Sequence, residues 1–229
     1  MIKALLLDFN GVILDDERIQ QRVYTELLAG EGIDLTDEDY MASLGMDDKT
    51  FVASAMLRAG KEADFDKILE LTSAKTTNWR KIIDEEMPIF DGVENFIRKS
   101  ATELSLGIVS MSKREEIEFV LEKAGLSECF NIIVSAEDVQ KCKPDPECYR
   151  RGFQLLDKSR TDGTHLPMLV TDCVVIEDSP PGVASARSAG LPVLGITNTV
   201  GEEDLRKAGA NYVSKKLDDW MPESFRRVF

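Results

Sequence analysis

A chain of 229 residues with a net charge of −14, 43% hydrophobic and 31% charged, has the composition of a globular protein that can bury a sizeable core. So acidic a surface repels nucleic acid and anionic membranes, and no run is long and apolar enough to span a bilayer. An anionic substrate therefore needs a local positive island, built from a divalent cation or a few lysines. The four cysteines, Cys129, Cys142, Cys148 and Cys173, form no Cys-x-x-Cys pair, and His165 is the only histidine. That pattern argues against zinc and for reduced thiols in a cytoplasmic protein.

The apolar stretch after Met1-Ile2-Lys3 is too short for a signal peptide and reads as a buried strand, Ala4–Leu7. It stops on Asp8-Phe9-Asn10-Gly11-Val12. From about residue 16 to 86, helical spacing replaces strand-like runs. Ile19, Val23, Leu27 and Leu28 form one stripe. Phe51, Ala55 and Leu57 form a second. Phe65, Ile68, Leu69, Leu71 and Thr72 begin a third, which continues to Trp79, Ile82 and Ile83. The stripes predict apolar core faces, and the stretch reads as an all-helical insertion hinged at 14–16 and at Met87-Pro88.

Further strand candidates follow at 106–109, Ile132–Val134, 174–176 and 192–196, with helical patterns at 113–124, 146–156 and 182–189. Residues 159–167 read as a polar loop with His165 facing solvent. Strands alternating with helices predict an α/β fold, a doubly wound parallel sheet with a Rossmann-like core. The core takes residues 1–15 and 87–229, and residues 16–86 form the inserted helical domain.

Parallel strands buried on both faces read as continuous apolar runs, and ligand sites in open α/β sheets lie just past their C-terminal ends. Four pieces sit there or beside it. Asp8 can attack phosphorus to give an aspartyl-phosphate, and Gly11 permits a sharp turn after it. Ser110, with Met111-Ser112-Lys113 leading into a helix, can hold phosphoryl oxygens. Lys143, held in Lys143-Pro144-Asp145-Pro146, can neutralise charge on a phosphoryl group or on Asp8. Glu177 and Asp178 add hard oxygen donors near Asp8, a set suited to Mg²⁺. Singly, each has a plain reading: a turn cap, a turn hydroxyl, a solvated loop lysine, an acidic helix start. Their order and strand-end placement together point to a site.

These residues resemble the haloacid dehalogenase superfamily of hydrolases, in the branch with a small helical cap after the first strand, near the beta-phosphoglucomutase and phosphoglycolate phosphatase group. The resemblance implies Asp8 as nucleophile and Mg²⁺ held by Asp8, the Asn10 carbonyl and Asp178, with Glu177 as a further ligand or a supporting group. It implies Ser110 and Lys143 as phosphoryl binders, and a helical cap that selects the substrate. Gly11, Met111, Ser112, Lys113 and the cap lysine Lys75 are the candidate substrate contacts, although a solvated helix lysine is the plain reading of Lys75.

Asn10 departs from the family pattern, in which an aspartate two residues after the nucleophile moves protons. An amide cannot ionise, but its backbone carbonyl can still bind a metal. The expectation is a Mg²⁺-dependent phosphohydrolase of small phosphate monoesters, impaired at Asn10, monomeric or weakly dimeric. The alternatives are a non-catalytic sensor of a phosphorylated metabolite, a phosphoglucomutase-like enzyme, or a phosphonatase-like enzyme using Lys49 as Schiff-base lysine. Gln20, where the mutase group has a histidine, and Asp47-Asp48, where it has an arginine, favour the phosphatase.

Overall fold

A computed structural model describes all 229 residues. Its centre is a sheet of six strands: β1 (Ala4–Leu7), β2 (Ser105–Val109), β3 (Ile132–Val134), β4 (Cys173–Glu177), β5 (Val193–Ile196) and β6 (Tyr212–Ser214). The strand order is β3-β2-β1-β4-β5-β6, and every pairing is parallel. Four helices, α1 (Glu17–Gly30), α2 (Asp37–Met41), α3 (Asp48–Arg58) and α4 (Phe65–Glu86), follow β1. The remainder are α5 (Val93–Ala101), α6 (Arg114–Lys123), α7 (Glu147–Asp162), α8 (Pro180–Ser188), α9 (Glu202–Ala208) and α10 (Pro222–Val228).

Strand side chains alternate between faces, so β1 feeds two cores at once. Leu5 and Leu7 join Ile97, Ile117 and Val120 beneath α5 and α6. Ala4 and Leu6 join Tyr149, Leu156 and Val183 beneath α7 and α8. Each fully buried leucine contributes about 1.5–3 kcal/mol, so β1 is a principal anchor of the fold. Helices α1 to α4 build a third core from Tyr24, Leu28, Tyr40, Phe51, Val52 and Leu71. The far part of α4 leaves that core: Trp79 and Ile83 pack with β1 residues.

The two connections to the helical insertion run side by side. Asp15 N–H donates to Pro88 O at 2.7 Å and Phe90 N–H to Ile13 O at 3.2 Å. Side-chain caps start several helices: Asp47 on α3, Asp64 on α4, and Ser179 on α8, where Pro180 occupies the first turn.

Three expectations need correction. The sheet has a sixth strand, β6, too short and too exposed to show an apolar run. The loop expected at 159–167 is half helix, because α7 continues to Asp162. Arg160 docks that last turn by donating to Ser105 Oγ at 2.8 Å, and His165 is exposed beyond it. Leu57 and Phe65 are not core: both are 63% exposed, near the end of α3 and at the start of α4, where the apolar faces turn away from the third core.

Candidate active site

The strand order makes β1 and β4 neighbours at the centre, with Leu7 opposite Ile176. Asp8 therefore emerges beside Glu177 and Asp178. Asp8 N–H still donates to Ile176 O at 3.0 Å, which holds the two strand ends in register. This is the point where the connections from β1 and β4 diverge, the place where open α/β sheets carry ligands.

Lys143 reaches this point from the loop before α7. Its Nζ lies 2.9 Å from Asp8 Oδ2 and 2.6 Å from Glu177 Oε1, with the lysine side chain only 2% exposed. Burial works against its charge, but the Asp8 and Glu177 carboxylates outweigh it and raise the pKa, so Lys143 stays an ammonium. Burial pushes Asp8 up to about 7, against Lys143. Glu177 goes the other way: burial raises it, but Lys143 wins and holds it below the usual carboxylate range.

Glu177 is also the most committed acid of the group. Its Oε1 takes Lys143 and the Tyr149 hydroxyl, at 2.8 Å. Its Oε2 takes the backbone N–H groups of Asp178 and Ser179 and the Ser179 hydroxyl. A Cβ on Gly182 would lie 1.7 Å from Glu177 Oε1, so the close approach of α8 requires glycine there. Glu177 reads as the anchor of Lys143, not as a side chain with an oxygen to spare.

Asp178 is the opposite case. Burial, then Glu177 and Asp8, push its pKa well above the carboxylate range, and only the Thr199 hydroxyl supports it. It lacks a positive partner. Carboxylate oxygens of Asp8, Glu177 and Asp178 lie within 4.8 Å of one another. The Asn10 carbonyl accepts no hydrogen bond from the chain. Gly11, at φ 71°, clears the space, since a Cβ there would lie 1.9 Å from Asp178 Oδ2. An all-oxygen donor set with surplus acid fits a hard divalent cation, which Asp8 and Asp178 could hold.

The Asn10 side chain is gripped at both ends. Its Nδ2 donates to both Asp16 oxygens, at 2.9 and 3.0 Å, and its Oδ1 accepts from the Ser112 hydroxyl. Asp16 is fully buried and also takes Trp79 Nε1 at 2.7 Å and Gln20 Nε2 at 3.0 Å. An amide at position 10 matches this carboxylate, whereas a second carboxylate would face it directly.

A cavity of about 90 Å³ opens over these groups, lined by Asp8, Asn10, Ser110, Met111, Ser112, Lys143 and Asp178 on the sheet side. Glu17, Gln20, Tyr24, Tyr40, Asp47 and Asp48 line it from the helical insertion. Lys143 is the one basic residue of the wall. Asp48 Oδ2 is buried there without a partner.

With this geometry in place, known proteins sharpen the picture. The model of the haloacid dehalogenase-like hydrolases matches residues 2–190. The chain belongs to that family. CbbY of Rhodobacter capsulatus is 30% identical over 203 residues, 84% of each chain. The fructose-1-phosphate phosphatase YqaB of Escherichia coli (strain K12) is 27% identical over 196 residues, 84% of this chain and 95% of its own. A crystal structure of beta-phosphoglucomutase from Clostridium difficile matches in fold, with TM-score 0.85 over 100% of this chain and 97% of its own at 22% identity.

Of the residues singled out in the sequence of this family member, Asp8, Asn10, Ser110, Met111, Ser112, Lys143 and Asp178 share the one cavity wall. Gly11 stands behind it, against Asp178. Two lysines do not reach it. Lys75 is neither solvated nor at the cavity: it is 1% exposed, 3.0 Å from Glu116 Oε2 and 3.2 Å from Asp48 Oδ1. Lys113 turns up to α4, donating to Thr72 O at 2.9 Å and Thr76 Oγ1 at 2.8 Å. Both tie the helical insertion to α6. Lys49 is exposed on α3 and does not line the cavity, which removes the Schiff-base candidate. Glu17, Tyr24, Tyr40, Tyr149 and Thr199 were missed. For Glu17 and Tyr24, the spacing i, i+3, i+7 through Gln20 was a signal available in the sequence.

Proposed function

We propose that this chain is a magnesium-dependent phosphohydrolase of small phosphate monoesters, acting through an aspartyl-phosphate on Asp8. The observation that carries the reading is the placement of Lys143 Nζ at 2.9 Å from Asp8, with Asp178 and Asn10 on the same cavity wall and carboxylate oxygens of Asp8, Glu177 and Asp178 within 4.8 Å of one another. Residues 16–86 act as a cap over the core formed by 1–15 and 87–229. The protein works as a monomer or weak dimer, and its four unpaired cysteines suit a reducing, cytoplasmic setting.

Asp8 attacks the phosphorus in line, and the ester P–O bond breaks. Lys143, Ser110 and the backbone N–H of Met111 hold the equatorial oxygens, a preorganised setting for charge that spreads in the transition state, while the Ser112 N–H donates to Ser110 Oγ and fixes that hydroxyl. Mg²⁺, held by Asp8, Asp178 and the Asn10 carbonyl, supplies positive charge that offsets repulsion between the phosphoryl oxygens and the Asp8 carboxylate. Glu177 keeps Lys143 charged and aimed. On the cap side, Glu17, Asp47 and Asp48 accept hydrogen bonds from hydroxyls and repel a second phosphate, so the favoured substrate is a polyhydroxylated monophosphate such as a sugar phosphate. Gln20 spends its amide on Asp16, which leaves the mutase reading without its proton carrier.

The test is a panel of phosphate esters with Mg²⁺, assayed on the Asn10 chain, on Asn10→Asp, and on Asn10→Asp/Asp16→Asn. The double variant keeps a hydrogen bond between positions 10 and 16 by exchanging donor and acceptor. Turnover rises in the double variant, by up to about 10²–10⁴-fold where no other group moves the proton and by less where one does. Saturable binding of phosphorylated metabolites with no turnover in any of the three contradicts the phosphatase and supports the sensor.

A further inference from the structure

Asn10 leaves a phosphatase without a group to carry protons, and the cavity wall offers another carboxyl. Glu17 opens α1 and lines the cavity that contains Asp8 and Asp178. Its Oε2 is fixed by the Tyr40 hydroxyl at 2.8 Å, while its Oε1 takes no hydrogen bond from the chain. Resting on the phosphatase reading above, we propose that Glu17 is the proton-transferring residue of this enzyme, doing from the cap side what Asn10 cannot do from the strand end.

The groups around Glu17 suit that work. Asp15 and Asp16 precede it, Tyr40 comes from α2, Lys75 from α4, and its charge is felt by Asp178 across the cavity. Burial and the Asp16 carboxylate push its pKa up to about 7, against Tyr40 and Lys75. A carboxyl that exchanges its proton near neutrality is matched to both halves of a hydrolysis. In the first half, Asp8 bonds to phosphorus, the ester P–O bond breaks, and the Glu17 carboxyl gives its proton to the departing alkoxide oxygen. In the second half, the Glu17 carboxylate takes a proton from water as the water oxygen bonds to phosphorus. The bond from phosphorus to Asp8 then breaks, leaving inorganic phosphate, a free Asp8 carboxylate and a protonated Glu17. The sum is ester plus water to alcohol plus phosphate.

The experiment is a cycle of Glu17→Gln in two backgrounds, the Asn10 chain and Asn10→Asp/Asp16→Asn, with kcat followed from pH 5 to pH 9. In the Asn10 background Glu17→Gln lowers kcat by about 10²-fold or more and removes the limb that rises through about pH 7, where the carboxylate form is needed. With aspartate at position 10, the effect of Glu17→Gln shrinks by about tenfold or more, because the two groups share one task. Tyr40→Phe guards against a folding artefact: it removes a donor that favours the ionised Glu17, so the limb moves to higher pH. An equal loss in both backgrounds, or a limb that stays in place in Glu17→Gln and Tyr40→Phe, overturns the role of Glu17 and leaves the phosphatase standing. No turnover in either background overturns the phosphatase, and the inference with it.

Discussion

The molecule buries two lysines in the same manner and uses them differently. Lys143 sits between Asp8 and Glu177, and Lys75 between Asp48 and Glu116, each ammonium within 3.2 Å of both partners. At Lys75 the charges are close to matched: Glu116 also takes the Thr76 hydroxyl at 2.7 Å, and Lys113 adds a second cation by donating to that same hydroxyl. At Lys143 they are not, because Asp178 brings a third carboxylate with no positive partner. A buried ion pair that closes its own account is a joint between parts of a fold. One that leaves surplus charge facing a cavity calls for a ligand.

Removing each lysine breaks the comparison most sharply. Lys75→Met leaves Glu116 and Asp48 buried without their cation, and costs about 3–5 kcal/mol of stability. Where the variant remains folded, kcat falls far less than in Lys143→Met, since Lys75 bears on the cavity only through Asp48 and Glu17. Lys143→Met costs stability too, but kcat falls by about 10³-fold or more, because a charge aimed at the transition state is gone. Urea unfolding and steady-state kinetics on the two variants separate these outcomes. A Lys75→Met protein that is fully stable, or as inactive as Lys143→Met, contradicts the distinction.

Gly182→Ala tests the support of Lys143 without touching a charge. The new Cβ would meet the Glu177 carboxylate, which must move and drag Lys143 with it. The expected cost is about 1–3 kcal/mol of stability, together with a fall in kcat. Unchanged kinetics in Gly182→Ala would show that the Glu177 anchor is not needed.

Surplus acid at the Lys143 site also predicts how a cation acts. Asp8 has a folded pKa of about 7, above its ordinary 3.8. The stability it lends is full below the ordinary value and is lost as pH rises through about 7. A cation takes the proton's place, so millimolar Mg²⁺ raises Tm more at pH 8 than at pH 5. Thermal melts at the two pH values check this, and equal shifts would mean that these carboxylates do not hold the ion. At the Lys75 joint burial also pushes Glu116 up, against Lys75, but that carboxylate faces Lys75 and Thr76 and no cluster of carboxylates that could hold a cation, so Mg²⁺ adds nothing there.

Much of the sheet side was legible in the sequence. Doubly covered strands are continuous apolar runs, so their ends can be located, and Asp8, Ser110 and Asp178 stand at those ends. Lys143 was legible through its proline-bounded turn. The cap side was not. Helical spacing tells which residues share a face but not what that face meets, so Lys75 looked solvated while its partner Glu116 lay 41 positions away. The same limit hid Glu17 on the cavity wall. Asn10 was conspicuous as a departure, but its fit to Asp16 was invisible until Trp79 and Gln20 were seen to converge on that carboxylate. Strand β6 escaped because it is three residues long at the sheet edge, with Tyr212 44% exposed.

The central claim is that Asp8 becomes phosphorylated. The direct measurement is acid quench of the enzyme with Mg²⁺ and a turned-over phosphate ester, followed by peptide mass spectrometry. The account predicts one added phosphoryl group on the peptide containing Asp8, lost in Asp8→Asn and accumulating further in Glu17→Gln. A turned-over substrate with no adduct on that peptide, or an adduct on another residue, would contradict it.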